Sequence, residues 1–364
     1  MFVGPCLAKL DCRQRRVYKS CVNTKIFLAS ALCLFAAWFG LNTSAQDSPG
    51  KGMPTAETVA AATKFLASLD DGQRGKVVFD FKDEAQRKRW SNLPTGAFRR
   101  EGLRMGDLSQ AQRDAALAVL AAALSPQGYE KVLQIVEGDE VLKNAGGGGR
   151  PIFGRDEYYV AFVGRPSATE PWMIQFGGHH LGLNVTLAGE QGTLAPSHTG
   201  AQPAIYQLEG KTVRPLGRET DKAFALVNSL DEAQRKQAIL GVQMHDLVLG
   251  PGRDGQTIQP EGIKGSALTD KQRELLLDLV GEWTGIQNEA AAKAKMEEVK
   301  NNISETWFAW SGPTEKGSAA YFRIQGPTVI IEYAPQRLGG DPTKHIHTIY
   351  RDPTNDYGAK WWKK

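Results

Sequence analysis

Cysteine is scarce in this chain and confined to its start. The four are Cys6, Cys12, Cys21 and Cys33. Everything after residue 33 therefore lacks a disulfide, a thiol nucleophile and a Cys metal ligand. Histidine is also rare, with six in 364 residues. A metal bound beyond residue 33 must be held by His, Asp or Glu. An excess charge of one sign is missing too, once the N-terminus is set aside. Residues 1–45 hold six of the 44 Lys/Arg and one of the 40 Asp/Glu, leaving 38 basic and 39 acidic residues, a net charge of −1. No basic stripe points to nucleic acid, and no long like-charge run reads as an interaction tail. Several templates are absent. There is no Gly-x-Ser-x-Gly elbow, no His-Glu-x-x-His, and no Gly-x-Gly-x-x-Gly after a strand pattern. Gly146–Gly149 lacks the Gly-Lys-Ser/Thr ending of a phosphate loop, so it reads as a flexible connection. Gly250–Gly255 reads as a turn-rich loop.

The apolar run Ile26–Leu41 spans 16 residues, short of the 18 or more that a spanning helix needs. Lys9, Arg13, Arg15, Arg16, Lys19 and Lys25 precede it, and Thr43-Ser44-Ala45 follows. A positive segment, a short apolar run and small residues form a secretory leader, with cleavage expected after Ala45. The expected location is secreted or periplasmic. An uncleaved anchor is the alternative, with membrane contact only through the leader. Arg15-Arg16 stands ten residues before the apolar run, a poor twin-arginine signal. Residues 46–55 read as a flexible linker. About 320 residues remain, enough for a sizeable core.

An internal repeat organises what is left. Leu-x-x-x-Gln-Arg occurs at Leu69, Leu108, Leu230 and Leu268. The next residue is Asp70, Ser109, Asp231 or Thr269, each a good N-cap. Apolar residues at helical spacing follow, as in Ala116, Leu117, Leu120 and Leu124. The first pair is 39 residues apart, the second 38, and the pairs are offset by about 160. Each pair precedes strand-like segments rich in aromatic and β-branched residues. These are Glu157–Gly164, Trp172–Phe176 and Leu183–Leu187, then Thr306–Gly312, Ala320–Ile324 and Val329–Tyr333. The expected fold is α+β with two pseudo-repeats, 56–218 and 219–364. Each is a capped helical pair followed by an antiparallel β-meander.

Four of the six histidines fall in two pairs, His179-His180 after Gly177-Gly178 and His345-Ile346-His347 near the C-terminus. In a strand, His345 and His347 point to one face and can converge on one ion. Adjacent His179 and His180 point apart unless the two glycines make a sharp turn. A third imidazole from this pair would leave one position open, as in catalytic zinc centres. Neutral imidazoles also suit Cu, Fe or Ni. If the two meanders pack about a pseudo-two-fold axis, Glu332 is placed as a fourth ligand or general base. Arg351 and Tyr350 are candidates to bind substrate, and Asp352 to act as base or orient a His. The alternative is plain: a His in a glycine turn, histidines on a solvated face, and an Arg351-Asp352 ion pair. His198 reads as a loop residue and His245 as structural.

Three functions stay open. One is a secreted metal-dependent hydrolase using divalent Zn, Cu or Fe. The second is a non-catalytic extracytoplasmic module that binds sugar or peptide. Its aromatics would be Tyr158, Tyr159, Trp172, Trp307, Trp310, Tyr321 and Phe322, though core packing also explains them. The third is a metal-carrying protein without turnover. The end Asp356–Trp362 reads as a docked terminus or an exposed aromatic patch.

Three blocks together resemble a known family. They are Arg89-Trp90-Ser91-Asn92-Leu93-Pro94, Gly178-His179-His180-Leu181, and His345-Ile346-His347 through Tyr350-Arg351-Asp352 to Asn355-Asp356-Tyr357-Gly358. They are similar to the uncharacterised domain of unknown function 3500, over about Thr63–Gly358. The resemblance implies export and one continuous domain. It supplies no reaction and no catalytic residue.

Overall fold

The computed structural model describes residues 54–146, 151–338 and 340–362. The leader, linker residues 46–53 and Gly147–Gly149 lie outside the described residues. The described residues form one compact unit. Among the described residues, no helix is long and apolar enough to cross a membrane.

Six longer helices form: α1 (Pro54–Ala67), α2 (Gln110–Ala123), α3 (Pro126–Gly146), α4 (Gly217–Ser229), α5 (Asp270–Thr284) and α6 (Glu289–Asn301). The repeated motif explains how four helices start. Asp70, Ser109, Asp231 and Thr269 each cap a helix, and the motif's Gln completes a capping box. The Gln also ties helices in pairs. Gln112 Nε2 donates to Ser68 O at 3.0 Å and Gln73 Oε1 at 2.9 Å. Gln272 Nε2 donates to Ser229 O at 2.9 Å and Gln234 Oε1 at 2.8 Å. The motif's Arg mostly returns to the carbonyl of its own Leu, as Arg113 to Leu108 and Arg235 to Leu230.

The main strands are β1 (Tyr159–Val163), β2 (Trp172–Gly177), β3 (Leu181–Ala188), β4 (Ser197–Ala201), β5 (Trp307–Ser311), β6 (Tyr321–Gly326), β7 (Val329–Pro335) and β8 (Ile346–Arg351). They belong to one 12-stranded sheet in the order β1-β2-β3-β4-β8-β7-β6-β5. Two-residue strands flank it, Val78–Phe79 parallel to β1 and Ile263–Lys264 antiparallel to β5. Both meanders form where the alternating patterns place them. They join through β4 and β8, where Thr199 pairs with Thr348.

The helices cover one face of the sheet. Phe162, Trp172, Ile174 and Phe176 pack with Phe65 of α1 and Leu120 of α2. Trp310, Phe322, Ile331 and Tyr350 pack with Phe224 of α4 and Leu279 and Trp283 of α5. A small cluster of Trp90, Val163, Met173, Ile349 and Tyr357 lies on the opposite face. Alternation along β8 therefore assigns Ile346, Thr348 and Tyr350 to the helical face, and His347, Ile349 and Arg351 to the other. Tyr158, Trp172, Trp310, Tyr321 and Phe322 are all buried, as core packing requires. The C-terminal end is docked: Trp362 Nε1 donates to Tyr357 O, and the Arg87 guanidinium sits 3.9 Å over its ring.

Candidate metal centre

The β2–β3 turn places the first His pair. Gly178 N donates to Leu181 O at 2.9 Å, closing a tight hairpin. A Cβ on Gly177 would stand 2.6 Å from Leu181 O, and one on Gly178 3.0 Å from the Tyr158 ring. Only glycine lets the chain turn there. The sharp turn brings the adjacent rings of His179 and His180 to 3.7 Å, instead of opposite faces. His345 precedes β8 and His347 lies within it. Gly200 of β4 faces both sides, since a Cβ there would stand 3.0 Å from His180 and 3.1 Å from His347.

The result is a buried cluster. One ring nitrogen from each of His179, His180, His345 and His347 lies within 4.8 Å of the other three. His345 Nε2 is 3.1 Å from His180 Nε2 and 3.0 Å from His347 Nε2. Three donors around a tetrahedral ion at ordinary metal–nitrogen distances stand about 3.3 Å apart.

The outer nitrogens fix the tautomers. His180 Nδ1 is 2.5 Å from Asp139 Oδ1, and His345 Nδ1 is 2.7 Å from Leu338 O. Both partners are acceptors, so both Nδ1 atoms carry the proton. The two Nε2 atoms then present lone pairs to each other at 3.1 Å. That contact is repulsive unless a proton or a metal ion stands between them. A proton is disfavoured. Burial, with the neighbouring imidazoles, pushes His180 down to about 4 and His347 well below the ordinary imidazole value; His345 is lowered as well. His347 Nδ1 meets the Asn92 amide at 3.1 Å. The Asn92 atom is its amide nitrogen, a donor, so Nδ1 accepts and the proton stands on Nε2; this imidazole ligates an ion through Nε2 once the amide flips. His179 is looser. Its buried Nδ1 has no hydrogen-bond partner and lies 3.6 Å from Asp139 Oδ1.

Asp139 organises this array from α3. Burial opposes its ionisation, but His180 and His179 hold its carboxyl far below the usual range. Tyr158 Oη donates to its other oxygen at 2.7 Å. A carboxylate on the outer nitrogen of a ligating His sets ring orientation and raises basicity.

These shifts carry a pH signature in the metal-free protein. An imidazole held at about 4 in the fold, against 6.5 in the unfolded chain, stabilises the fold fully above pH 6.5. That stability drains as pH falls from 6.5 towards 4. His180 alone contributes about 3 kcal/mol. Metal-free protein is therefore expected to lose urea midpoint steadily between pH 6.5 and 4.5. A flat midpoint across that window would show these imidazoles to be solvated.

The other sequence candidates stand apart from the four nitrogens. Glu332 lies on β7, on the His347 face, and is fully buried. Its carboxylate accepts from Val248 N and Leu249 N at 2.7 Å each and from Tyr321 Oη at 2.8 Å. Asp352 accepts from Lys295 Nζ at 2.5 Å and from Thr354. Arg351 spends its guanidinium on Leu249 O, Gly250 O, Asp254 and Asp356. Tyr350 points into the helical core, the face opposite His347. His198 is a strand residue of β4, not a loop residue. It is fully buried, with Nδ1 2.8 Å from Thr348 O. His245 sits in an exposed loop.

Asp139, Asn92 and the Leu338 carbonyl escaped the sequence reading. Asp139 looks like any polar helix residue. Asn92 had a signal, because it lies in the Arg89–Pro94 block. A backbone carbonyl has no sequence signature.

No curated protein and no solved structure matches the chain. A family model described as a protein of unknown function (DUF3500) matches residues 51–359, which include all four histidines, Asn92 and Asp139. The chain therefore belongs to the DUF3500 family.

Proposed function

We propose that the protein binds one divalent transition metal ion through His180, His345 and His347, with His179 as a displaceable fourth donor, and that this centre serves hydrolysis. One observation carries the reading. Two imidazoles with committed outer nitrogens aim Nε2 lone pairs at each other across 3.1 Å, beside a third at 3.0 Å. A cation removes the repulsion. All donors are neutral nitrogen, so the ion keeps its full charge and its power as a Lewis acid. The set suits Zn, Cu or Fe. Glu332 and Asp352 enter this reading as clamps of the surrounding loops. His179, whose Nδ1 has no hydrogen-bond partner, would be the side chain beside the ion's open position.

A second reading, a metal carrier without turnover, is favoured by the burial of all four rings. We also infer that the chain arose by duplication and works outside the cytoplasm. The paired Gln112 and Gln272 networks support the first inference. The leader pattern and a thiol-free site support the second. His179 and His180 come from one half, and His345 and His347 from the other.

Elemental analysis of residues 46–364, purified without a His-tag, tests the reading. One metal ion per chain is expected, with ester or amide hydrolysis that a chelator removes and added metal restores. Metal without turnover on any such substrate would leave the carrier. No metal after reconstitution with Zn, Cu, Fe and Mn would overturn both.

A further inference from the structure

Three exposed apolar side chains stand beside the residues that touch the histidines. Leu93 is 46 % exposed and follows Asn92, which meets His347. Ile152 is 39 % exposed and precedes Phe153, whose ring lies 4.9 Å from that of His179. Leu338 is 83 % exposed, and its own carbonyl meets His345. Two of the three segments are joined, since Ile152 N donates to Thr95 O at 3.2 Å. Large aliphatic side chains are usually buried, and a group of exposed ones marks a place where something apolar binds. Here they sit on three separate loops, each one residue or less from a contact with the same four-His cluster.

We infer that these residues form an apolar collar at the mouth of the centre, and that the ligand is an amphiphile: a metal-binding oxygen group attached to an aliphatic chain. This rests on the metal reading above. The oxygen takes the coordination position that His179 vacates. The chain lies against Leu93, Ile152 and Leu338. Phe153 packs on His179, with ring centroids 4.9 Å apart, and adds an apolar ring to this side of the cluster. Such a ligand is a fatty acyl ester, amide or acid, not a sugar.

The collar is separable from the metal in an experiment. Cobalt-loaded protein is titrated with acetohydroxamate and octanohydroxamate, and binding is read from the visible cobalt spectrum. Octanohydroxamate is expected to bind at least about tenfold tighter, because several methylenes leave water. The Leu93→Ser/Ile152→Ser variant is expected to hold the same cobalt and lose most of that preference. These side chains are exposed, so the fold is expected to survive, and cobalt content reports it. Equal affinity of the two hydroxamates for wild type would overturn the collar while leaving the metal centre standing. So would a chain-length preference unchanged in the variant, or a cobalt spectrum that neither hydroxamate alters. A protein that takes up no cobalt or other metal would sink the metal reading, and this inference with it.

Discussion

The His345→Ala/His347→Ala variant is expected to lose its metal, from one ion per chain to under about a tenth, with affinity falling at least about 100-fold. The two residues supply two of the three Nε2 atoms, His345 Nε2 standing 3.1 Å from that of His180 and 3.0 Å from that of His347. Removing both leaves His180 and His179 on one hairpin, too few donors for a stable centre. The fold is expected to persist, because Ile346 and Tyr350, not the histidines, pack into the helical core. Asp139→Asn should act more mildly, lowering affinity about 10- to 100-fold, since it removes only the carboxylate that orients His180. His245→Ala, in an exposed loop, is the control and should change nothing. Competition against a chromophoric chelator measures all three. Full metal content in the double variant would place the ion elsewhere.

The Lys131→Met substitution is expected to be among the most destabilising single changes, by about 3 kcal/mol or more. Lys131 of α3 ion-pairs with Glu219 of α4 and donates to Glu282 O of α5 at 3.3 Å. Their side chains are 6 % and 1 % exposed for Lys131 and Glu219. Burial pushes the Glu219 carboxyl up, and Lys131 pulls it back. Without the lysine, Glu219 keeps a buried charge or takes up a proton, and either costs stability. Glu282 is better provided, with Arg218 at 3.0 Å and Lys222 at 2.6 Å. Lys131→Met/Glu219→Gln should therefore recover more than half of the loss. Urea unfolding measures both. A single variant within about 0.5 kcal/mol of wild type would show the pair to be hydrated and the argument wrong.

The helical starts were legible because capping is local. Asp70, Ser109, Asp231 and Thr269 each bond a nitrogen three residues ahead, so spacing suffices to read them. The meanders were legible for a similar reason: alternation is a property of neighbouring residues, and strands β1–β3 and β5–β7 lie within a few residues of the expected segments. His198 was misread because Pro196-Ser197-His198-Thr199-Gly200 is rich in turn formers. The neighbours β3 and β8 supply its ladder and override that preference.

Composition alone fixed the chemistry available: with every cysteine before residue 34, a metal centre here must be built from nitrogen or oxygen. Order along the chain named the four histidines. Whether they meet was decided by the join of β4 to β8, 149 residues apart at the Thr199–Thr348 contact. No local pattern encodes that pairing. Packing within each half left Glu332 clamping two backbone amides and brought Asp139 of α3 onto His180, 41 residues away in sequence. Side-chain roles of this kind depend on which partners compete for each polar atom. That competition exists only once the sheet is assembled.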